Sequence, residues 1–289
     1  MVIVTVIGGA GRMGHWFARL LKANGYSVII TDKNKQTAMT LSKKYGFQFL
    51  ADQVAAARQA RVVIVATPTN VTSAVLQKLA HKLKPETLVV EISSIKAPVS
   101  RTIRKLQNDG IPVLSIHPMF GAGITSLRGR RILAVTTPQN HEAKRILSIF
   151  QKNGARIIHC TLRKHDALAS AIIALPHFMN ISLIETLRSL GVNLNEVSSV
   201  AGTTFQLQLL LAEAIYNEDF GNEVSILRDS KRAVLEAYSK QTATVLEMVN
   251  TRPTRLTRLL GVGRELVKTH RRFASSYERF NAAVQASLT

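Results

Sequence analysis

The chain has 289 residues, 46% hydrophobic and 19% charged: enough apolar material for two cored domains and too much for a disordered tail. Its one cysteine, Cys160, excludes an internal disulfide framework and any multi-cysteine metal cluster. Lys and Arg outnumber Asp and Glu by 38 to 18; a net charge of +20 draws nucleic acid, dinucleotides and carboxylate substrates alike and selects none of them.

Short β-branched runs fall at 2–7, 27–31, 62–66, 88–92, 112–116, 132–136 and 155–158. Between them, residues 13–23, 35–45, 71–83, 97–108 and 142–152 carry apolar side chains at three- and four-residue spacing. The runs are almost continuously apolar, as in strands buried on both faces. Their alternation with helices predicts an α/β fold, a doubly wound Rossmann-type parallel sheet. After about residue 160 the strand signals stop, and an all-helical C-terminal domain follows: helices at 165–190, 194–216, 218–248 and from 254 onward. The expected division is therefore 1–160 and 161–289. Residues 167–184 contain no Asp, Glu, Lys or Arg but do carry Pro176, His177 and Asn180; they read as a helix buried in a core or between subunits, not as a membrane span. The opening MVIVTVIGG lacks the basic region and cleavage site of a secretion signal, so a cytoplasmic location is expected.

Residues 8–14 read GGAGRMG, and Gly9, Gly11 and Gly14 satisfy G-x-G-x-x-G between an apolar strand and a helix. In that context the glycines permit a tight turn, close approach of backbone to a pyrophosphate, and close helix–sheet packing. Arg12 and Met13 complete the turn, and the helix N-terminus offers N–H groups to phosphate. Asp32, at the end of the second run, suits the two ribose hydroxyls of NAD; Lys33 and Lys35 beside it leave NADP open. Thr67 and Pro68, at the end of the run 62–66, are expected walls of the dinucleotide cleft.

Two further runs end in EISSIK (91–96) and HPMFG (117–121), and KHDALASAIIALPHF (164–178) opens the helical half. His165 and His177 lie twelve residues apart, about 3.3 turns of an α-helix, so they do not share a face closely and no metal site is expected of them. GGAGRMG, SSIK, HPMFG and the HD and PH pairs at 165–166 and 176–177, taken in that order, resemble the prephenate/arogenate dehydrogenase family in its single-activity form, with no fused mutase or regulatory domain. The resemblance runs over about residues 1–250.

It implies oxidation of a cyclohexadienyl substrate at the carbon bearing a hydroxyl, with hydride passing to NAD(P), the ring carboxylate leaving as CO2, and the ring becoming aromatic. It assigns His117 to the hydroxyl proton, Ser94 to a hydrogen bond near it, and His177 to the substrate pocket. His165 and Asp166 support the site. The helical domain then binds substrate and forms a homodimer. For Ser94 a second reading stands beside this one, as the N-cap of the helix beginning near Lys96.

The chain departs from the family in one respect. Residues 201–216 have no arginine, although a buried substrate carboxylate needs a charge-assisted partner. Arg228 is the expected substitute, with Lys231, Arg232, Arg128, Arg130 and Arg131 as alternatives. Seven basic residues against Glu265 in 252–272 read as a solvated helix face, and nucleic acid is not an expected partner. Two rival readings are a β-hydroxyacid-type NAD(P) dehydrogenase and a dinucleotide-sensing, nucleic-acid-binding regulator without turnover.

Overall fold

The computed structural model describes Met1–Ser287 and divides the chain into two compact units. One comprises Met1–Ala169 and Val224–Asp229; the other takes Ser170–Glu223 and the residues from Ser230 onward.

The first unit is built on strands β1 (Ile3–Ile7), β2 (Ser27–Thr31), β3 (Gln48–Phe49), β4 (Val62–Val65), β5 (Leu88–Glu91), β6 (Val113–Pro118), β7 (Arg131–Thr136) and β8 (Arg156–His159), in the order β3-β2-β1-β4-β5-β6-β7-β8. Its helices are α1 (Arg12–Ala23), α2 (Lys35–Tyr45), α3 (Gln53–Gln59), α4 (Thr69–Ala80), α5 (Ala97–Asn108) and α6 (His141–Lys152). All four residues of β4 are buried because both faces of the sheet are covered. Val62 and Ile64 point into a core with Phe17, Leu21 and Phe150 of α1 and α6. Val63 and Val65 point into another with Leu76, Leu79, Ile103 and Leu106 of α4 and α5. Each such side chain contributes roughly 1.5–3 kcal/mol on burial. The strand order reverses between β1 and β4, and β1, β4, β5 and β6 are parallel, so their carboxyl ends share one edge, where ligands bind in such sheets.

The sheet differs from the sequence expectation at two places. β7 runs antiparallel to β6, where a parallel strand was expected. The connection between them contains no helix, and a return without a crossover must be antiparallel. β3 and α3 were not foreseen, being two and seven residues long and too short to establish a period.

Helix α7 (Leu162–Ala169) closes the long segment of the first unit. The second unit begins with a π-helical turn, Ser170–Ala174, and continues through α8 (Leu175–Ser189), α9 (Leu194–Val200) and α10 (Thr203–Tyr216). Then come α11 (Phe220–Asp229), whose end belongs to the first unit, α12 (Arg232–Thr251), α13 (Pro253–Lys268) and α14 (Ser276–Ser287). Pro176 has no N–H to give to the preceding turn, and the wide turn sits where that bond is missing. An α-helical phase between residues 165 and 177 therefore does not apply. Leu162–Ser189 is long and apolar enough, by length and composition, to cross a membrane. Only 22% of its most apolar window is buried, so a core within one chain does not account for it.

Candidate active site

The turn after β1 is closed by contacts that leave no room for side chains. A Cβ on Gly9 would stand 2.6 Å from the Ile30 Cβ, and one on Gly14 would stand 2.0 Å from the Gly8 carbonyl oxygen. Gly11 is different: its nearest obstacle is the same oxygen at 3.2 Å. Gly8, which lies outside the sequence motif, has φ +80° and would drive a Cβ to 2.5 Å from the Ala66 carbonyl oxygen. The ends of β1 and β4 thus touch through Gly8, bringing Thr67, with Pro68 next in the chain, against the turn. Thr67 is held there by a 2.9 Å hydroxyl contact with Thr72.

The first helical bond of α1 runs from the His15 N–H to the Gly11 carbonyl at 2.8 Å, so the N–H groups of Met13 and Gly14 in its first turn have no helical partner. Arg12 opens that turn. Asp32 accepts the Ala10 N–H on Oδ2 and the Asn34 N–H on Oδ1, both at 2.9 Å. It fastens the glycine turn to β2, and each oxygen keeps a lone pair for a ribose hydroxyl. A glycine cradle, an N-terminal helical turn and a carboxylate beside it fit a dinucleotide. Among the described residues, no three His, Cys, Asp or Glu side chains are placed to hold a metal ion.

Three strands along the same edge, His117 is the penultimate residue of β6. It is buried, and its Nδ1 lies 3.0 Å from Nε2 of His165, which is fully buried in α7. His165 Nδ1 in turn lies 2.7 Å from Asp166 Oδ1. Asp166 also accepts the Lys96 N–H at 3.0 Å and the Ala97 N–H at 2.8 Å, capping α5. That is the place the sequence offered to Ser94; the carboxylate from α7 takes it instead, with charge that complements the helix dipole. Ser94 is half-buried, and among the described residues no hydrogen bond joins it to His117. The neighbouring Ser93 is the buried serine, and its Oγ has no hydrogen-bond partner in the protein.

Beneath this edge lies a cluster the sequence did not disclose. Lys96 Nζ donates to Glu91 Oε2 and to the Ile116 carbonyl, immediately before His117. Glu91 also accepts the Ser115 hydroxyl at 2.8 Å and the Ser93 N–H. Burial draws the Lys96 ammonium below its ordinary value, while Glu91, Asp166 and Cys160 oppose that shift. Burial, then the Lys96 charge, then His165 hold His117 well below the ordinary imidazole value, so it is neutral at pH 7. For Asp166, burial acts upward but is outweighed by the His165 hydrogen bond and the N–H groups of Lys96 and Ala97, leaving its carboxyl below the usual range. A neutral imidazole within reach of a carboxylate-anchored partner is equipped to accept a proton.

In the second unit, His177 Nδ1 lies 2.5 Å from Glu223 Oε2, whose side chain is buried. Arg228 is largely exposed, and its guanidinium holds Asp229 through Nε at 2.7 Å and an NH2 group at 3.0 Å.

Residues 17–159 match the family described as prephenate dehydrogenase, nucleotide-binding domain, and residues 161–262 match prephenate dehydrogenase, dimerization domain. A probable arogenate/prephenate dehydrogenase of Methanocaldococcus jannaschii is 29% identical over 85% of this chain and 56% of its own length. The T-protein of Haemophilus influenzae is 27% identical over 83% of this chain and 59% of its own. The chain thus spans somewhat more than half the length of these curated relatives. Among solved structures, prephenate dehydrogenase from A. aeolicus, in complex with hydroxyphenyl propionate and NAD+, shares the fold at TM-score 0.68 and 17% identity, covering 91% of this chain and 96% of that one. Synechocystis arogenate dehydrogenase does so at TM-score 0.63 and 19% identity, covering 93% and 100%. With both parts of the family matched in order along it, the chain belongs to the prephenate dehydrogenase family.

Proposed function

We propose that this protein catalyses the oxidative decarboxylation of prephenate or arogenate with NAD, yielding 4-hydroxyphenylpyruvate or tyrosine. The observation that carries the reading is the neutral, anchored His117 on the sheet edge that also bears the glycine turn. Gly9, Gly11, Arg12, Met13, Gly14, Thr67 and Pro68 line the dinucleotide, and Asp32 takes its ribose hydroxyls. When bound, NAD supplies the hydride acceptor. His117 takes the proton of the substrate hydroxyl; that oxygen becomes a carbonyl as the ring carbon gives up its hydride, and loss of CO2 then makes the ring aromatic. Ser94 donates to the same oxygen. His177, backed by Glu223, and Arg228, once released from Asp229, contact the substrate's carboxylates.

The same reading makes the protein a homodimer of a cytoplasmic pathway. Support comes from the match to a dimerization domain and from the little-buried apolar helix at Leu162–Ser189, which a second copy would cover. Turnover of the purified chain with prephenate and arogenate, each with NAD and NADP, tests the reading through appearance of reduced nicotinamide. NAD with one of the two substrates is expected to dominate. Silence in all four mixtures, with turnover of a β-hydroxyacid, overturns it.

A further inference from the structure

His165 has both ring nitrogens in hydrogen bonds, and the chemistry of its two partners fixes where its proton lies. Asp166 is held by the N–H groups of Lys96 and Ala97, which favour the ionised carboxylate, an acceptor only. The 2.7 Å contact with Asp166 Oδ1 therefore places a hydrogen on His165 Nδ1. A neutral imidazole carries one such hydrogen, so His165 Nε2 presents a lone pair. The atom facing it at 3.0 Å, His117 Nδ1, must then be the donor.

We propose that His165 and Asp166 are positioning residues that lock His117 in the Nδ1–H tautomer, leaving its Nε2 bare to take the substrate's hydroxyl proton. The inference rests on the function proposed above for the proton's source, but not for the order of the donors. His117 Nε2 makes no hydrogen bond among the described residues, as a nitrogen kept for an incoming hydroxyl should not. In the step, the substrate O–H bond breaks, an Nε2–H bond forms, and the oxygen keeps the electron pair that becomes the carbonyl. His117 is then an imidazolium still donating through Nδ1 to His165, and the Asp166 carboxylate answers its charge across one ring. A doubly protonated His165 would reverse the chain, leaving His117 Nε2 a donor. That arrangement adds a cation to a fully buried ring, against the desolvation penalty on buried charge. The charged groups facing the pair are Asp166 on α7, which touches His165, and Lys96 before α5, which acts on His117; Lys96 in turn faces Glu91 on β5, Asp166, and Cys160 after β8.

Nitrogen-15 NMR of the full chain with labelled histidine reads the tautomer directly, with His117→Asn identifying the His117 signals. The expected result at pH 7.5 is a protonated Nδ1 and a bare Nε2 on His117; the opposite pattern overturns the inference. Kinetics give a second reading. His165→Leu removes the acceptor and is expected to lower kcat by on the order of 10²-fold with NAD affinity unchanged. His165→Gln, whose amide oxygen can accept from His117 Nδ1–H, should recover at least about tenfold of that loss; equal losses in the two variants count against the lock. Where the leucine variant fails to fold, the spectrum and the glutamine variant decide. A wild-type chain with the expected tautomer but no turnover of prephenate or arogenate removes the proposed function and leaves the tautomer assignment standing.

Discussion

Lys96 and Glu91 form an ion pair sealed from water, 2.8 Å between Nζ and Oε2 with side chains 1% and 0% exposed. Its partners are Ile116 and Ser115, the two residues that precede His117, at the point where the register of β6 against β7 shifts. Removing one member leaves a buried charge uncompensated. Lys96→Met is therefore expected to cost about 3–5 kcal/mol in urea unfolding. Adding Glu91→Gln neutralises the orphan and should return part of that loss; a double variant whose loss equals the sum of the Lys96→Met and Glu91→Gln losses would show that the pair is not coupled.

His117 gives folding a pH dependence of definite sign. Its folded-state pKa is depressed by burial, Lys96 and His165, whereas an unfolded chain titrates near the ordinary 6.5. Below that value the unfolded chain binds a proton that the folded chain refuses, so stability is full above the unfolded pKa and falls as pH drops below it. Thermal melts of the wild type from pH 7.5 to 5 should fall more steeply than those of His117→Asn. Parallel curves would remove His117 as the cause. Asp166 also weakens the fold on acidification, but only at the lower pH where carboxylates titrate.

The glycines of the turn separate into two kinds. Gly14→Ala forces a Cβ to 2.0 Å from backbone at Gly8, so it should destabilise the fold by at least about 1–3 kcal/mol. Gly11→Ala meets its nearest atom only at 3.2 Å and should leave the melting temperature close to wild type while weakening NAD binding. Calorimetry of both variants with and without NAD checks the contrast. A stable Gly14→Ala protein would contradict the close approach of α1 to the turn.

Arg228→Ala tests the missing anchor. Loss of a charge-assisted contact made equally to substrate and transition state should raise KM about tenfold or more with little change in kcat. An unchanged KM would leave Arg228 as the partner of Asp229 and nothing more.

The sheet was legible because β4 and its neighbours are almost unbroken β-branched runs, and the dinucleotide turn because its glycines follow one of them. The antiparallel β7 was not, since apolar runs carry no direction and only the helix-free connection before it decides. His117 stood out through HPMFG, and His165 and Asp166 were visible as a supporting pair. Their contact with His117, 48 residues away along the chain, is tertiary. Asp166 as the cap of α5 was illegible for the same reason: its acceptors meet N–H groups 69 and 70 residues distant, while Ser94 offered a local reading. Ser93 and Glu91 were hidden because nothing in a sequence tells which of two adjacent serines turns inward. The π-helical turn before Pro176 escaped because a helix that widens keeps the composition of one that does not.

Asp166 ties α7 to the start of α5, so the first unit does not finish where its last strand does. A fragment cut after residue 160 would retain the glycine turn, Asp32 and His117, yet surrender the cap on one helix and the partner of the imidazole together. The nucleotide half is consequently not an interchangeable module: a chimera that grafts a foreign helical half onto it must carry the His-Asp pair across the junction, or leave His117 Nδ1 without its partner and α5 without its cap.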